Sequence, residues 1–319
     1  MTIRSTRRSL LAAGGTAGVV LGAAACSSSD PFEEDTAQGG KEGTAPSDGG
    51  GAVGSSTLVI GSQAYYSNEI IAELFAQVLE AEGFTVERQF QIGQREVYVP
   101  ELENGSLDVL PEYLGNLLQH YEPDAPSASP EEIHSALGEA LPGALRVLDF
   151  AEASDQDSYT TTAAFAQEHS LTTIADLAGI PDLRIAANSE FEVRPYGPEG
   201  AKSIYGVDVT VVPVEDSGGP LTVQALTDGD VQLADIYTAD PAIAANDLVV
   251  LEDPESMILP QNVVPLVTEK VDETAAAAIE RVIEQLSADD LVAINQRSVE
   301  EQANSATIAR DWLGEKGLV

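Results

Sequence analysis

Apolar and polar residues follow one another from Thr57 onwards in an order that predicts alternating strands and helices. Short apolar runs bounded by turn residues indicate strands, and apolar residues spaced three and four apart indicate helices. The first series consists of strands at 58–60, 84–92 and 107–110 and helices at 68–83, 95–104, 114–121 and 130–141. This order is typical of a largely parallel sheet. Pro111, which lacks an N–H, is expected to end the third strand.

A second series of the same kind begins after a Thr-rich strand at 159–163. It consists of helices at 174–177, 197–205 and 221–227 and strands at 183–187, 209–214, 231–236 and 248–251. The tail is helical at 272–286 and 308–316, and the residues from Ser287 to Asp290 resemble a capping box between them. Two comparable α/β halves predict a two-lobed clamp that closes on its ligand by a hinge motion.

Polar residues follow the carboxyl ends of predicted strands in both halves. Gln63 and Glu112-Tyr113 lie at such ends in the first half, and Asn188 to Glu190 and Tyr237-Thr238 lie at such ends in the second. Ligands of open α/β sheets bind at the carboxyl ends of strands, because these ends open onto a crevice. The sequence therefore predicts a small-molecule site in a cleft between the two lobes.

The first 26 residues have the pattern of a lipoprotein signal peptide. A basic start is followed by apolar and small residues at 10–25 and by Cys26, the only cysteine of the chain. Ala23-Ala24-Ala25-Cys26 resembles a bacterial lipobox, in which the cysteine is acylated, and Arg7-Arg8 resembles a twin-arginine export signal, a general secretory signal being the alternative. The mature protein is expected to be exported and lipid-anchored to the outer face of the cell membrane.

Residues 27–56 are rich in Gly, Ser and acidic residues and contain almost no large apolar side chain. Such a segment buries too little surface to offset the entropy of ordering, so a disordered tether is expected between the anchor and the body. No apolar stretch after Cys26 is long enough to span a bilayer.

The chain is strongly acidic, with 53 Asp and Glu against 15 Lys and Arg and a formal net charge of −38. Nucleic acid and anionic membrane surfaces are therefore excluded as partners of the body. Acid excess with only four lysines favours a protein that works in high salt, where self-repulsion is screened; an acidic protein from an ordinary habitat is the alternative.

Several short motifs over 57–319 resemble one family in their order and spacing: the substrate-binding proteins of ABC importers for glycine betaine, choline and related compatible solutes. The motifs are Gly61-Ser62-Gln63, Pro111-Glu112-Tyr113-Leu114-Gly115, Asp157-Ser158-Tyr159, Glu190-Phe191 with Arg194, Tyr237-Thr238-Ala239-Asp240, Asn262 to Val267, and Ala309 to Leu318. The resemblance implies a periplasmic-binding-protein fold of type II, with lobe 1 at 57–155 and 262–319 and lobe 2 at 156–261. It also implies a solute receptor that delivers its ligand to a membrane permease.

The resemblance further implies which residues bind the solute. Tyr159 and Tyr237 are expected to face a quaternary ammonium, with Asp157 near the cation, and Arg194 is expected to bind a carboxylate. Gln63 is expected to be a second donor to the anion from the opposite lobe. The remaining predicted ligand-binding residues are Arg95, Tyr113, Thr238 and Tyr66.

The sequence departs from the family pattern at three positions. Ile92 and Gln261 stand where some members have tyrosine, and Arg95 stands where threonine is common. The departures remove two expected cage tyrosines and add a cation, which leaves room for a more anionic or more hydroxylated solute. Tyr65, Tyr66 or Tyr98 are the candidates for replacing the missing aromatic faces.

Two alternative functions remain at this point. One is the same receptor role for another small polar solute, such as an amino acid or a sugar derivative; the other is an exported hydrolase. A hydrolase is disfavoured because there is no Gly-x-Ser-x-Gly motif and no His in any strand-end motif. His120, His134 and His169 lack metal-ligand spacing, so neither a metal nor a cofactor is expected. We expect a monomeric, non-catalytic receptor.

Overall fold

Two five-stranded sheets organise the part of the chain that the computed structural model describes, residues 57–319. The predicted signal peptide, Cys26, the twin-arginine motif and the tether at 27–56 lie outside the described residues. The strands are β1 (Thr57–Gly61), β2 (Thr85–Gln89), β3 (Val109–Tyr113), β4 (Leu145–Val147), β5 (Tyr159–Thr162), β6 (Leu183–Ala187), β7 (Val209–Pro213), β8 (Leu233–Asp235), β9 (Leu248–Val250) and β10 (Val263–Thr268).

Eleven α-helical segments are found in the described residues: α1 (Tyr66–Ala81), α2 (Arg95–Glu103), α3 (Leu114–Tyr121), α4 (Pro130–Ala140), α5 (Ala163–His169), α6 (Pro198–Gly200), α7 (Pro220–Thr227), α8 (Ala242–Ala245), α9 (Glu273–Ile283), α10 (Ala288–Glu300) and α11 (Ser305–Lys316). The expected capping box is present at the start of α10, where Ser287 and Asp290 exchange backbone and side-chain hydrogen bonds. A π-helical turn, Ala201–Tyr205, extends α6.

The first sheet has the strand order β2-β1-β3-β10-β4, and the second has the order β7-β6-β8-β5-β9. In each sheet three strands run parallel, and the remaining two pair antiparallel with their neighbours. We call the body built on the first sheet lobe 1 and the body built on the second sheet lobe 2. The two-lobed α/β fold predicted from the sequence is confirmed; the lobe limits at 155/156 and 261/262 stay a prediction.

Each sheet is covered by helices on both faces. In lobe 1, α1, α9, α10 and α11 pack on one face, and α2, α3 and α4 pack on the other. The helical spacing in α1 buries Ile71, Leu74, Phe75 and Leu79 completely. Burying one such side chain contributes about 1.5–3 kcal/mol, so this helix is held mainly by its packing. In lobe 2, two apolar cores lie on either side of the second sheet.

Pro111 does not end its strand, contrary to the expectation from the sequence. It lies within β3, directly opposite Pro265 of β10. The backbone of Pro265 faces away from β3, since its carbonyl accepts a hydrogen bond from Leu148 N at 3.0 Å. In an antiparallel pair of this kind the two residues exchange no hydrogen bonds, so neither proline interrupts the ladder. The strand therefore continues to Tyr113, at the edge of the cleft.

The sequence patterns did not predict several helices and strands of the structure. Strand β4, helices α5 and α8, and strand β10 as a member of the first sheet were not predicted. Among the described residues, no helix combines the length and apolar character needed to cross a membrane.

Candidate functional site

A cleft lies between the lobes, at the carboxyl ends of strands from both sheets. It contains about 460 Å³ of atom-free space when its open mouth is counted, but only about 30 Å³ is left for a water-sized molecule, so the walls of the cleft lie close together. Gln63 follows β1, Tyr113 ends β3, Asn188 follows β6 and Asp235 ends β8. The two halves of the chain therefore contribute side chains to one site.

Five aromatic rings line this cleft: Tyr65, Tyr113, Phe191, Tyr196 and Tyr237. Tyr65 of lobe 1 and Tyr237 of lobe 2 meet edge to face, with 5.1 Å between ring centroids and 67° between ring planes. In lobe 2, Phe191 and Tyr196 are 5.7 Å apart at 71°. The Tyr65 hydroxyl donates a hydrogen bond to the Tyr113 hydroxyl, which fixes both rings on the lobe 1 side. Aromatic faces attract cations through the ring quadrupole, so this wall suits a cationic group.

The cleft is lined by Tyr65, the residue just before α1, and not by the predicted Tyr66. Tyr65 precedes the helix in extended backbone, with φ −145° and ψ 157°. Tyr66 begins the helix and points elsewhere: its hydroxyl donates to Asp240 Oδ2 at 2.8 Å, and its ring lines a separate groove behind the cleft. The Tyr66–Asp240 contact joins the two lobes without facing the site.

Tyr159 lies in the core of lobe 2 and not on the cleft surface. Its side chain is fully buried, its ring is 5.9 Å from that of Phe191, and its hydroxyl donates to the Tyr196 carbonyl at 2.8 Å. Strand β5 pairs with β8 and β9 and has both faces covered, so its first side chain points into packed protein. The expectation that Tyr159 faces the cation is corrected: Tyr159 supports Phe191 and Tyr196, which do line the cleft.

Thr238 is also placed outside the cleft. Its side chain is exposed, and its hydroxyl oxygen accepts a hydrogen bond from Gln156 N at 2.9 Å. The Thr238 N–H donates to the Gln156 carbonyl at 2.9 Å. Thr238 therefore ties the loop after β8 to the chain that crosses between the lobes.

Arg95 lines the cleft, but its charge is already matched within lobe 1. Its guanidinium binds both oxygens of Glu112, with 2.7 Å between Nε and Oε1 and 2.8 Å between Nη2 and Oε2. Tyr98 and the Tyr113 N–H donate to the same carboxylate at 2.6 and 2.9 Å. Burial alone would disfavour the cation, but Glu112 outweighs that effect and raises the pKa of Arg95. Arg95 is therefore a fixed part of the wall rather than a free anion donor.

Arg194, the predicted carboxylate ligand, also lines the cleft. It reaches across from lobe 2 to Glu96 at the start of α2, with Nη1 2.7 Å from Oε1 and Nη2 3.3 Å from Oε2. The Glu96 side chain is 53% exposed. Ion pairs this close to water contribute little, so Arg194 can leave Glu96 for another carboxylate.

Four carboxyl groups face the cleft: Asp155, Asp157, Glu190 and Asp235. Asp157 Oδ2 accepts from Asn116 Nδ2 at 2.7 Å, and Asp235 Oδ1 accepts from Ser158 N at 3.0 Å. None of the four forms an ion pair with a Lys or Arg among the described residues. The cleft therefore carries an excess of acidic groups over free cations.

Asp155 lies where the two lobes join. Ser67 of α1 and the Ala239 N–H of lobe 2 both donate to its carboxyl group, at 3.1 and 3.0 Å. Asn295 of α10 donates to Ser67 Oγ and to the Ala239 carbonyl, each at 3.1 Å. Burial raises the pKa of Asp155 to about 7, although the two donated hydrogen bonds oppose the shift.

Asn116 and Gln261 form a support behind Asp157. Gln261 is completely buried; its Oε1 accepts from Asn116 N at 3.1 Å, and its Nε2 donates to Asn116 Oδ1 at 2.8 Å. Gly115 allows this close approach, because a Cβ there would lie 2.5 Å from Leu259 Cβ and 2.9 Å from Gln261 Nε2. Gln261 thus orients the amide that holds Asp157.

Gln63 projects into the cleft from lobe 1. Its side chain is 7% exposed, and its backbone N–H donates a hydrogen bond to Asn68 Oδ1 at 2.9 Å. Its side-chain nitrogen, Nε2, is buried without a hydrogen-bond partner among the described residues. Native proteins rarely leave such a donor unpaired, so this amide is available to an acceptor in the cleft.

The structure thus brings six predicted residues to the cleft: Gln63, Arg95, Tyr113, Asp157, Arg194 and Tyr237. The predicted ligand-binding residues did not include eight others that line the cleft, namely Gln94, Asn116, Asp155, Asn188, Glu190, Phe191, Tyr196 and Asp235. Strand ends were the available signal for Asn188, Glu190 and Asp235. No group of His, Cys, Asp and Glu suited to a metal ion was found within 57–319.

Comparison with known families identifies the class of protein that this cleft serves. The family model OpuAC, described as the substrate binding domain of the ABC-type glycine betaine transport system, matches residues 56–315. The chain belongs to this family. The OpuAC match covers both lobes, and it makes the chain a substrate-binding protein of an ABC transporter, a class that works outside the cytoplasm.

Two relatives of this chain are named as glycine betaine-binding proteins. The glycine betaine-binding protein YehZ of Escherichia coli K12 is 23% identical over 278 residues, covering 82% of this chain and 91% of the relative. A glycine-betaine-binding protein of Pseudomonas aeruginosa is 25% identical over 279 residues, covering 82% and 89%. A crystal structure of a glycine betaine/carnitine/choline ABC transporter superposes with a TM-score of 0.67 at 22% identity, covering 82% of this chain and 99% of that one. The last likeness confirms the fold.

Proposed function

We propose that the protein is a non-catalytic receptor that binds a quaternary ammonium solute, such as choline or glycine betaine, in the interlobe cleft and delivers it to an ABC permease. The observation that carries the proposal is that five aromatic rings and four carboxyl groups, none of which has an ion-pair partner among the described residues, line the same cleft. The names of the relatives, which refer to glycine betaine, support the same ligand class.

A quaternary ammonium group matches this chemistry because it carries a positive charge but no N–H to donate. Aromatic faces hold such a group by cation–π attraction, and nearby carboxylates add to the attraction without a hydrogen bond. Tyr65, Tyr113 and Tyr237 offer rings from both lobes, so a bound cation would contact both lobes and stabilise the closed arrangement. Gln63 and Arg194 are placed to receive the hydroxyl or carboxylate at the other end of the solute.

The lining of the cleft also supports a binding role without catalysis. Of the described residues that line it, none is Ser, Thr, Cys, His or Lys. The usual covalent hydrolysis of an ester or amide uses a serine, threonine, cysteine or lysine nucleophile that a neighbouring base activates, and that arrangement is not among these lining residues. We therefore propose that the solute leaves the cleft chemically unchanged.

Export and anchoring complete the proposal. Residues 1–25 would be removed with the signal peptide, the acylated Cys26 would hold the mature protein at the outer face of the membrane, and residues 27–56 would act as its tether. A chain of about 30 flexible residues has a root-mean-square reach of roughly 30 Å, enough for the body to approach a permease in the same membrane. We propose that the receptor works as a monomer.

Calorimetric titration of the purified protein with choline, glycine betaine, carnitine and proline tests the ligand class. We expect the quaternary amines to bind and to be recovered unchanged. Tyr237→Leu should weaken binding of the quaternary amines by about 0.5–2 kcal/mol, because one aromatic face is lost. Tyr121→Leu, a matched change of a tyrosine outside the cleft, should leave affinity as it is.

The outcomes separate the alternatives. Binding of a polar solute without a quaternary amine, such as an amino acid or a sugar derivative, with silence on choline, glycine betaine and carnitine would retain the receptor and reject the ligand class. The four titrated solutes contain no bond that can be hydrolysed, so an ester of choline is incubated with the protein as well; release of free choline from that ester would reject the non-catalytic role.

A further inference from the structure

Asp157 and Asp235 form a pair of carboxyl groups on the lobe 2 side of the cleft. Both side chains line the cleft, and Asp157 lies near enough to Asp235 for its charge to act on that carboxyl group. Asp235 is positioned by the Ser158 N–H at 3.0 Å, and Asp157 is positioned by Asn116 Nδ2 at 2.7 Å. Both residues are buried: Asp235 is 5% exposed and Asp157 is 8% exposed. We call these two residues the acid pair.

Two buried carboxyl groups that lie near each other do not both ionise readily, since repulsion and loss of hydration act together. One proton held between them relieves both effects. Burial first, and the charge of Asp157 second, raise the pKa of Asp235 well above its ordinary value. The acid pair therefore favours a positive charge between its carboxyl groups, whether from a proton or from the cationic group of a ligand.

The surroundings of the acid pair do not supply a competing cation. Seven titratable or charged groups face it. They are two acids, Asp155 and Glu190; three tyrosines, Tyr159, Tyr196 and Tyr237; and two arginines, Arg95 and Arg194. Arg95 is bound to Glu112 and Arg194 to Glu96, so both guanidinium groups already have carboxylate partners. The tyrosines and the two further acids add no positive charge.

Gln63 provides independent support for a ligand at this place. Its buried Nε2 has no hydrogen-bond partner among the described residues, and its side chain lines the same cleft from lobe 1. An unpaired donor on one wall and a protonated acid pair on the other are satisfied together by a molecule with an oxygen at one end and a cation at the other. Tyr65 and Tyr237, 5.1 Å apart, add aromatic faces to the same cleft.

We propose that Asp157 and Asp235 are the cation-binding residues of the cleft, and that the pair releases one proton to solvent when a quaternary ammonium ligand binds. This inference rests on the proposed function and adds to it the residues that bind the cation and a proton-linked affinity. The exchange is balanced: the proton leaves the acid pair as the ligand cation enters, and the charge of the cleft is unchanged. No bond of the ligand is made or broken.

The sign of the pH dependence follows from this exchange. Protons bind the empty cleft and not the complex, so lowering the pH favours the empty form. Affinity should therefore rise with pH, by up to about tenfold per pH unit while the pair of the free protein is protonated, and should level off above that range. Two nearby groups could imitate this behaviour: Asp155, whose pKa is raised to about 7, and Glu190, whose pKa is raised by burial.

The test is calorimetric titration of the full chain with choline from about pH 5 to about pH 9, in two buffers of different ionisation enthalpy. The difference in apparent heat between the buffers gives the number of protons released. We expect about one proton per choline at the lower pH values, decreasing towards zero at the upper end. Infrared spectroscopy of the ligand-free protein should show the carbonyl band of a protonated carboxyl group that choline removes.

Isosteric variants assign the effect to its residues. Asp235→Asn should abolish proton release, remove the infrared band and make the remaining choline affinity independent of pH. Asp157→Asn should act in the same way, so the assignment does not depend on one variant folding. Asp155→Asn should retain both signals, and Asp228→Asn, an exposed aspartate outside the cleft, should behave as the wild type.

Each outcome has a separate meaning. Tight choline binding without proton release, or with no infrared band in the free protein, overturns the proton exchange and leaves the proposed function intact. Proton release that vanishes in Asp155→Asn but persists in Asp235→Asn overturns the assignment to the acid pair. Absence of binding to every quaternary amine overturns the proposed function, and the exchange with it.

Discussion

Two arginine–glutamate pairs border the cleft, and they differ in almost every physical respect. Arg95 and Glu112 lie within lobe 1, with side chains 6% and 0% exposed and four hydrogen bonds converging on the carboxylate. Arg194 and Glu96 join lobe 2 to lobe 1, with side chains 15% and 53% exposed. The first pair is buried, and protein groups supply all of its hydrogen bonds. In the second pair, the glutamate is still largely exposed to water.

The difference indicates that the first pair is structural and the second is available to the ligand. Removing one member of a buried pair leaves an uncompensated charge, which is strongly destabilising. An exposed pair contributes between about 0 and 1 kcal/mol, so its arginine exchanges partners at little cost. The same residue types thus hold the wall of the cleft at one place and receive the solute at the other.

The largest expected effect comes from breaking the buried pair. Glu112→Gln should lower the free energy of unfolding by about 3–5 kcal/mol, because Arg95 stays buried without a charge partner. Urea denaturation followed by circular dichroism measures this change. Glu131→Gln, at an exposed glutamate of α4, is the matched control and should change stability by no more than about 0.5 kcal/mol. A loss of less than about 1 kcal/mol in Glu112→Gln would show that the two pairs are alike.

An intermediate effect is expected when the exposed pair loses its arginine. Arg194→Ala should weaken binding of glycine betaine by about 1.5–3 kcal/mol, the contribution of hydrogen bonds to a charged group. Choline has no carboxylate, so its affinity should change much less. Titration of both ligands gives the comparison, with Arg184→Ala on the exposed side of β6 as the control. Equal losses for both ligands would mean that Arg194 acts by holding the lobes together.

The smallest effect should come from removing the glutamate that competes for Arg194. Glu96→Gln frees the guanidinium, so affinity for glycine betaine should increase by no more than about 1 kcal/mol, with choline unaffected. The gain should shrink as salt is added, because screening already weakens the pair in the wild type. Weaker glycine betaine binding in this variant would contradict the idea that the ligand replaces Glu96.

The fold was largely predictable from the sequence, and the places where prediction failed have physical causes. Strands β1, β6 and β7 follow from short apolar runs, and α1 follows from its helical spacing. Pro111 was misinterpreted because its effect depends on which way its missing N–H points. That direction is set by pairing with β10, about 150 residues later, and no local pattern contains it.

The site was predictable at the level of strand ends but not at the level of single side chains. Tyr159 begins β5, which is covered on both faces, so sequence alternation does not tell which side chain reaches the cleft. Tyr65 and Tyr66 are neighbours, and only the start of the helix between them decides that Tyr65 faces the site. The acid pair and the Arg194–Glu96 contact join segments far apart in sequence, so they depend on the tertiary structure.

The position of β10 has a consequence for the order in which the lobes form. All five strands of the second sheet lie between residues 159 and 250, so lobe 2 has its whole sheet once that segment has been synthesised. The first sheet needs β10 between β3 and β4, and its core also needs α9 to α11. Until residue 268 is available, β3 remains an unpaired edge on that side, a state open to wrong pairing and aggregation. The lobe whose sequence begins first is therefore the one whose core is completed last.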